Sequence, residues 1–197
     1  MTENDCQEPV IGVAFDGTGY GTDGTIWGGE ILLADYDSFT RWGCIEPFAQ
    51  TGGDVSAKEG WRIAVSLLGK IYGKENALLI IETLGLCEPK LAKLQFTMEE
   101  RGINTVQSTS AGRLFDAVSA ILDIRKSSTF EGEASTSLQF AAEKWLDAQK
   151  KKIAGSEDFA ESGIITDYGE LKSISDVAQK SVVEKNNSIN QNIKADL

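Results

Sequence analysis

The side chains best placed to do chemistry follow the apolar run Val13-Ala14-Phe15. They form the segment Asp16-Gly17-Thr18-Gly19-Tyr20-Gly21-Thr22-Asp23-Gly24. Glycines leave the backbone bare, so amide N–H groups can reach phosphate oxygens, and threonine hydroxyls add donors. The spacing fits neither the Walker pattern nor a dinucleotide fingerprint, because a second strand follows; a plain hairpin loop is the competing account. Asp16 stands at the strand exit, where a carboxylate repels a phosphate unless a divalent cation lies between them. That makes it a metal-ligand candidate. In the segment STSAGRLFDAV, Gly112 near a helix start permits close approach. Asp116, four residues on, lies on nearly the same face, either to accept hydrogen bonds from ribose hydroxyls or as a solvated helix acid. FEGEAS repeats the theme, with Gly132 between Glu131 and Glu133 at the next helix start, where the acids also suit the helix dipole. In TGGDVSAKEGWR, Lys58 and Arg62 share a helical face and could grip a phosphate or carbamoyl oxygen, unless they are spent on surface ion pairs. The chain has no histidine, which excludes a Ser-His-Asp or Cys-His relay and any imidazole metal site within it. Carboxylates, backbone amides and borrowed groups remain.

The elements that must hold these residues are readable from the hydrophobic pattern. PVIGVAF predicts a buried strand, TIWGGEILLADY a second with Gly28 and Gly29 at a bulge, and FTRWGCIEPF a third. The glycine-rich segment then becomes the tip of a twisted antiparallel hairpin. A helix is predicted from Asp54 or Ser56, where Ser56-Ala57-Lys58-Glu59 fits a capping box, with Trp61, Val65, Leu68 and Ile71 as its apolar face. ENALLIIETLG and the stretch opening at Pro89 predict two shorter helices. The next helix should bury Leu114, Val118, Ile121 and Leu122, and another carries Leu138, Phe140, Ala141, Trp145 and Leu146. From about Lys150 a polar connection, a short strand in IITDYGEL and an Asn-rich helix are predicted. The domain reading is therefore a core over 1–150 and a helical continuation, frayed at its end, over 151–197. Three strands followed by several helices leave a long sheet edge, an unbalanced set for an α/β domain.

Composition bounds the partners. Of 197 residues, 41% are hydrophobic and 25% charged, an ordinary globular balance. The net charge of -11 argues against nucleic-acid and anionic-membrane binding, so an anionic ligand must be held locally. Three cysteines, Cys6, Cys44 and Cys87, without CxxC spacing suit free thiols in a reducing compartment. No apolar run is long enough for a membrane span, and the acidic start MTENDCQEP lacks a signal-peptide pattern, so a cytoplasmic location is expected.

Four blocks occur in the order of one family: GVAFDGTGYGTDGTIWGGE, GGDVSAKEGWR, TSAGRLFDAVSAILDIR and FEGEASTSLQFAAE. Over residues 9 to 147 the sequence closely resembles the C-terminal, threonylcarbamoyl-transferase-like catalytic domain of the HypF carbamoyltransferases of nickel-iron hydrogenase maturation. The resemblance implies an α/β, actin-like and Hsp70-like ATPase fold of the ribonuclease H-like kind, with a mixed sheet and helices, truncated here at both ends. It implies that a neighbouring domain makes carbamoyl-adenylate from carbamoyl phosphate and ATP. The domain resembled here would pass the carbamoyl group to the C-terminal cysteine of HypE, toward a cyanide ligand. By similarity, Asp16 stands among the ligands of a divalent metal, and Gly17, Thr18 and Gly19 line the phosphate or adenylate. Gly112 and Asp116 meet the nucleoside, Gly132 joins the cofactor-binding set, and Lys58 and Arg62 join Asp16 in the catalytic set.

Departures from the family pattern carry expectations of their own. The paired histidines of an HxxxH motif would lie just upstream of residue 1, and a GGVFQN-type motif would follow the C-terminal helix. An acidic ribose contact of related transfer enzymes falls near Ser137. The expectation is an internal piece of a longer protein, completed by the remainder of HypF and inactive alone. Other readings are an O-carbamoyltransferase, a threonylcarbamoyl-transfer relative, or a non-catalytic truncated remnant.

Overall fold

The computed structural model describes residues 1–154. The elements predicted beyond Ala154, including the IITDYGEL strand and the Asn-rich helix, lie outside the described residues. After a short 3-10 turn at Thr2–Asn4 come strands β1 (Val10–Tyr20), β2 (Ile26–Ala34), β3 (Phe39–Cys44) and β4 (Phe48–Thr51). A second 3-10 turn at Gly53–Ala57 leads into helices α1 (Gly60–Tyr72), α2 (Lys74–Thr83) and α3 (Pro89–Glu100). Strand β5 (Thr105–Ser108) and helices α4 (Ala111–Ile121) and α5 (Glu133–Ala154) complete the order. The sheet runs β1-β2-β5-β4, with β3 also pairing β2. β2 is antiparallel to β1 and β3 and parallel to β5, while β4 and β5 are antiparallel. The mixed sheet with helices agrees with the expected α/β class.

Only the end of the glycine-rich segment, Gly21–Gly24, belongs to the hairpin tip; its first part, Asp16–Tyr20, is strand. β1 continues through it to Tyr20, and the turn is Gly21–Thr25, closed by Gly21 N–H donating to the Thr25 carbonyl at 3.0 Å. Asp23 fixes this turn by accepting from the Thr25 amide, the Thr25 hydroxyl and the Trp27 indole. Pairing between β1 and β2 runs to Phe15 opposite Gly29 and resumes at Gly19 opposite Trp27. Asp16, Gly17 and Thr18 therefore face Gly28 alone, in a bulge. Gly28 is required there, because a Cβ would stand 2.5 Å from the Asp16 carbonyl oxygen and 3.0 Å from Ser110 Cα.

Other expectations are also corrected. β1 is not buried: Ile11, Val13 and Phe15 are more than half exposed, because nothing among the described residues packs over that side. FTRWGCIEPF divides into β3 and β4 around Pro47. The capping box does not form. Ser56 sits in the 3-10 turn, its hydroxyl donating to the Gly53 carbonyl at 2.5 Å, and α1 begins only at Gly60. β5 is a further strand, too short and polar to show alternation. α5 continues through the lysines at 150–152 to Ala154, so no polar connection begins at Lys150.

The core centres on α1. Ile63, Ala64, Val65 and Leu68 pack with Ala77, Ile80 and Ile81 of α2, Ala92 and Phe96 of α3, Ala117 and Ala120 of α4, and Phe48 of β4. Each such large aliphatic contributes about 1.5–3 kcal/mol by burial. Trp61 belongs to this core as expected, whereas Ile71 is exposed. α4 turns a different face inward from the one predicted. Ala111, Arg113, Asp116, Ala117, Ser119 and Ala120 are buried, Leu122 is exposed, and Leu114, Val118 and Ile121 are intermediate. Its small residues allow close approach: a Cβ on Gly60 of α1 would lie 2.6 Å from the Asp116 carbonyl oxygen.

Candidate functional site

The bulge and α4 are joined by Ser110, the N-cap of α4. Its hydroxyl oxygen accepts from the Arg113 amide at 3.1 Å, and its proton faces the carbonyls of Asp16 at 3.0 Å and Gly17 at 2.7 Å. Gly112 makes this contact possible, since a Cβ there would lie 2.8 Å from Gly17 Cα. Both walls are also held from behind. The Glu30 carboxylate is buried beneath them and accepts from the amides of Gly28 (3.1 Å) and Gly29 (3.2 Å), from Arg41 Nε (2.6 Å) and from the Thr109 hydroxyl. Burial pushes the Glu30 carboxyl upward, but these hydrogen bonds outweigh it and leave the group below its ordinary value. Arg41 is in turn stacked 4.2 Å over the Trp27 ring and paired with Asp23 at 3.2 Å.

Between the bulge, the 3-10 turn and α4 opens a cavity of about 340 Å³. The structure brings Asp16, Gly17, Thr18, Lys58, Asp116 and Gly132 to its lining, together with Arg113 and the loop Ser128–Glu131. Ser128 N–H donates to the Lys58 carbonyl at 2.7 Å, and Glu133 accepts from the Thr129 amide and hydroxyl, so this loop is tied across the opening. Three of the expected site residues are not in that lining. Gly112 acts one layer back, as the spacer described above. Gly19 lies under the Trp27 backbone, where a Cβ would be 2.8 Å from the Trp27 carbonyl oxygen. Arg62 pairs with Glu59 at 2.6 Å and lies 4.5 Å over the Trp61 ring, the ion-pair alternative raised for it.

Arg113 and Asp116 form a buried pair at 2.9 Å, with a further bond from Arg113 Nη1 to the Ala57 carbonyl at 3.0 Å. Burial pushes the Asp116 carboxyl above its ordinary value, and the Arg113 charge opposes that shift. The lining holds three carboxylates, Asp16, Asp116 and Glu131, against Lys58 and Arg113. Asp16 Oδ1 accepts from the Gly17 amide at 2.6 Å. Among the described residues no three His, Cys, Asp or Glu side chains gather as a metal site, so the groups present here do not fit a complete one. Ser110, Arg113 and Glu30 were not singled out from sequence. Ser110 alone had a legible signal, a serine directly before a helix start.

A family model described as Carbamoyltransferase, Kae1-like domain, second subdomain, matches residues 12–194. The chain belongs to this carbamoyltransferase family. It is 38% identical over 154 residues to the carbamoyltransferase HypF homolog of Cupriavidus necator, covering 75% of this chain and 37% of that protein. It is also 38% identical over 145 residues to the probable carbamoyltransferase HypF of Methanocaldococcus jannaschii, covering 74% and 19%. The crystal structure of full-length HypF in the phosphate- and nucleotide-bound form superposes with a TM-score of 0.63 at 34% identity, over 70% of this chain and 18% of that one. That of T. kodakarensis HypF does so at 0.56 and 26%, over 88% and 24%. The chain thus spans a minor part of each relative's length. Among the described residues no helix is long and apolar enough to cross a membrane.

Proposed function

We propose that this chain forms part of a carbamoyl-transfer site in which the cavity between the β1 bulge and α4 receives carbamoyl-adenylate. The acceptor is the C-terminal cysteine thiol of HypE. What supports this is the convergence of Asp16–Thr18, Lys58 and Asp116 on one cavity, in a chain of a carbamoyltransferase family. The thiol sulfur attacks the carbamoyl carbon, the bond from that carbon to the phosphate oxygen breaks, and AMP leaves with the electron pair while the thiol proton passes to solvent. This yields a thiocarbamate. Lys58 and Arg113 face the phosphate and stabilise it as it departs, and Asp116 keeps the Arg113 guanidinium oriented. No nucleophile from this chain is used, in keeping with its lack of histidine.

The isolated chain is expected not to turn over the adenylate, because its described residues assemble no metal site and the remainder of HypF would supply the missing groups. Two measurements test the reading. Calorimetric titration with AMP should show binding that falls about tenfold in Lys58→Ala, the scale of one charge-assisted hydrogen bond. Absence of AMP binding would overturn the site. Thiocarbamate formation on a HypE C-terminal peptide, with the isolated chain given carbamoyl-adenylate, would overturn its inactivity.

A further inference from the structure

Lys58 is the one lysine in the lining of the cavity between the bulge and α4. Its main chain is pinned: the amide donates to the Val55 carbonyl at 3.0 Å, and the carbonyl accepts from the Ser128 amide at 2.7 Å. Its ammonium is left over. Lys70 pairs with Glu46, Lys74 with Glu100 and Lys126 with Asp123, whereas Lys58 Nζ has no hydrogen-bond or ion-pair partner among the described residues. The aspartates that share its cavity do not claim it. Asp116 holds Arg113 at 2.9 Å, and Asp16 Oδ1 accepts from the Gly17 amide at 2.6 Å. The cavity therefore presents a tethered primary amine whose side chain is free to meet whatever enters.

We propose that Lys58 is a self-carbamoylation site, an amine that bound carbamoyl-adenylate modifies when no acceptor thiol arrives. This rests on the adenylate reading of that cavity. In the adenylate the carbamoyl carbon is joined to phosphorus through a single oxygen, so an amine that faces the phosphate stands beside the reactive carbon. The ammonium gives one proton to water, and the Nζ lone pair attacks the carbamoyl carbon. The bond from that carbon to the bridging oxygen breaks, AMP leaves with the electron pair, and the adduct nitrogen loses its second proton to water. The product is Nε-carbamoyl-lysine, an uncharged urea. Holding the amine beside an activated ester supplies the rate, and no metal is used. One adenylate is consumed per chain, so the step is not turnover. It removes the positive charge at residue 58, and AMP affinity should fall by the same roughly tenfold expected for Lys58→Ala. The site thus shuts itself down when acceptor is scarce.

Peptide mass spectrometry reads the outcome directly, with no variant required. The full chain is treated in parallel with carbamoyl-adenylate and with cyanate, which carbamoylates amines with no nucleotide to place it. Lys90, Lys93 and Lys144 serve as references, exposed and likewise without a partner among the described residues. With carbamoyl-adenylate, Lys58 should be modified at least about tenfold faster than these three, and excess AMP should remove the preference. With cyanate, Lys58 should react at the reference rate. Uniform labelling by the adenylate overturns the proposal, and so does a preference that cyanate reproduces or that survives excess AMP. Calorimetric titration with AMP separates the two failures. If AMP binds and Lys58 is not preferred, self-modification fails and the nucleotide cavity stands. If AMP does not bind, the cavity reading fails first and this proposal with it.

Discussion

Glu30 lies outside the lining of the cavity between the bulge and α4, yet it holds both walls of that cavity, through the amides of Gly28 and Gly29 and the hydroxyl of Thr109. Replacing it by Gln removes the charge facing Arg41 and should cost about 2 kcal/mol in urea unfolding. That is less than a fully buried pair would cost, since Arg41 keeps part of its guanidinium in water. The pH dependence has a definite sign. A carboxyl held below its ordinary value of 4.5 contributes stability that is present above pH 4.5 and lost as pH falls through the folded-state value. Glu30→Gln should therefore flatten the acid limb of the stability profile, as read by urea midpoints across pH 5 to 2. Asp116 works in the other direction. Held above 3.8, its contribution is present below that pH and lost as pH rises through its raised value, so Asp116→Asn should steepen the same limb. Asp16 and Asp116 reach the cavity from positions that bare glycines mark locally, whereas Lys58 reaches it from the end of the 3-10 turn, outside α1, and not through the helical face expected for it with Arg62. Arg113 was not legible, since its burial against Asp116 and the Ala57 carbonyl arises only when the 3-10 turn closes on α4.

At the scale of the element, α4 and the bulge meet with almost no side chain between them. Gly112→Ala places a methyl 2.8 Å from Gly17 Cα, and the conflict is backbone against helix, with no flexible side chain to move aside. It should cost about 1–3 kcal/mol, the usual range for overpacking, and weaken AMP binding as the walls part. Denaturation midpoints and calorimetry together would show both effects. Within the core, Leu68→Ala should cost about 3 kcal/mol with the AMP affinity of the remaining folded protein unchanged. Helices α2 and α3 were readable from punctuation: Gly85, at φ 57°, follows the first, and Pro89 opens the second. β1 misled because its glycines look like a turn, whereas in the fold they permit a strand to bulge without leaving the sheet. α4 misled because its inward face is built of alanine, serine and a salt bridge, which no hydrophobic pattern reports.

Across the whole molecule, the net charge of -11 coexists with an open apolar margin. The imbalance of strands anticipated from sequence is only partly relieved by β4 and β5. β1 ends the sheet among the described residues, with Ile11, Val13 and Phe15 uncovered. Charge repulsion keeps copies apart at low ionic strength, and salt shortens its reach to roughly 3 Å at 1 M. Light scattering should therefore show self-association rising with salt, and Phe15→Lys should suppress it; a monomer unchanged at high salt would contradict this. The margin strand is also the one that carries Asp16, Gly17 and Thr18. A stray peptide or second copy zipping onto its free side would tug at the pairing phase of the very residues that line the cavity. Nucleotide affinity drifting in a stored sample would then be an early symptom of clumping, arriving before any visible turbidity.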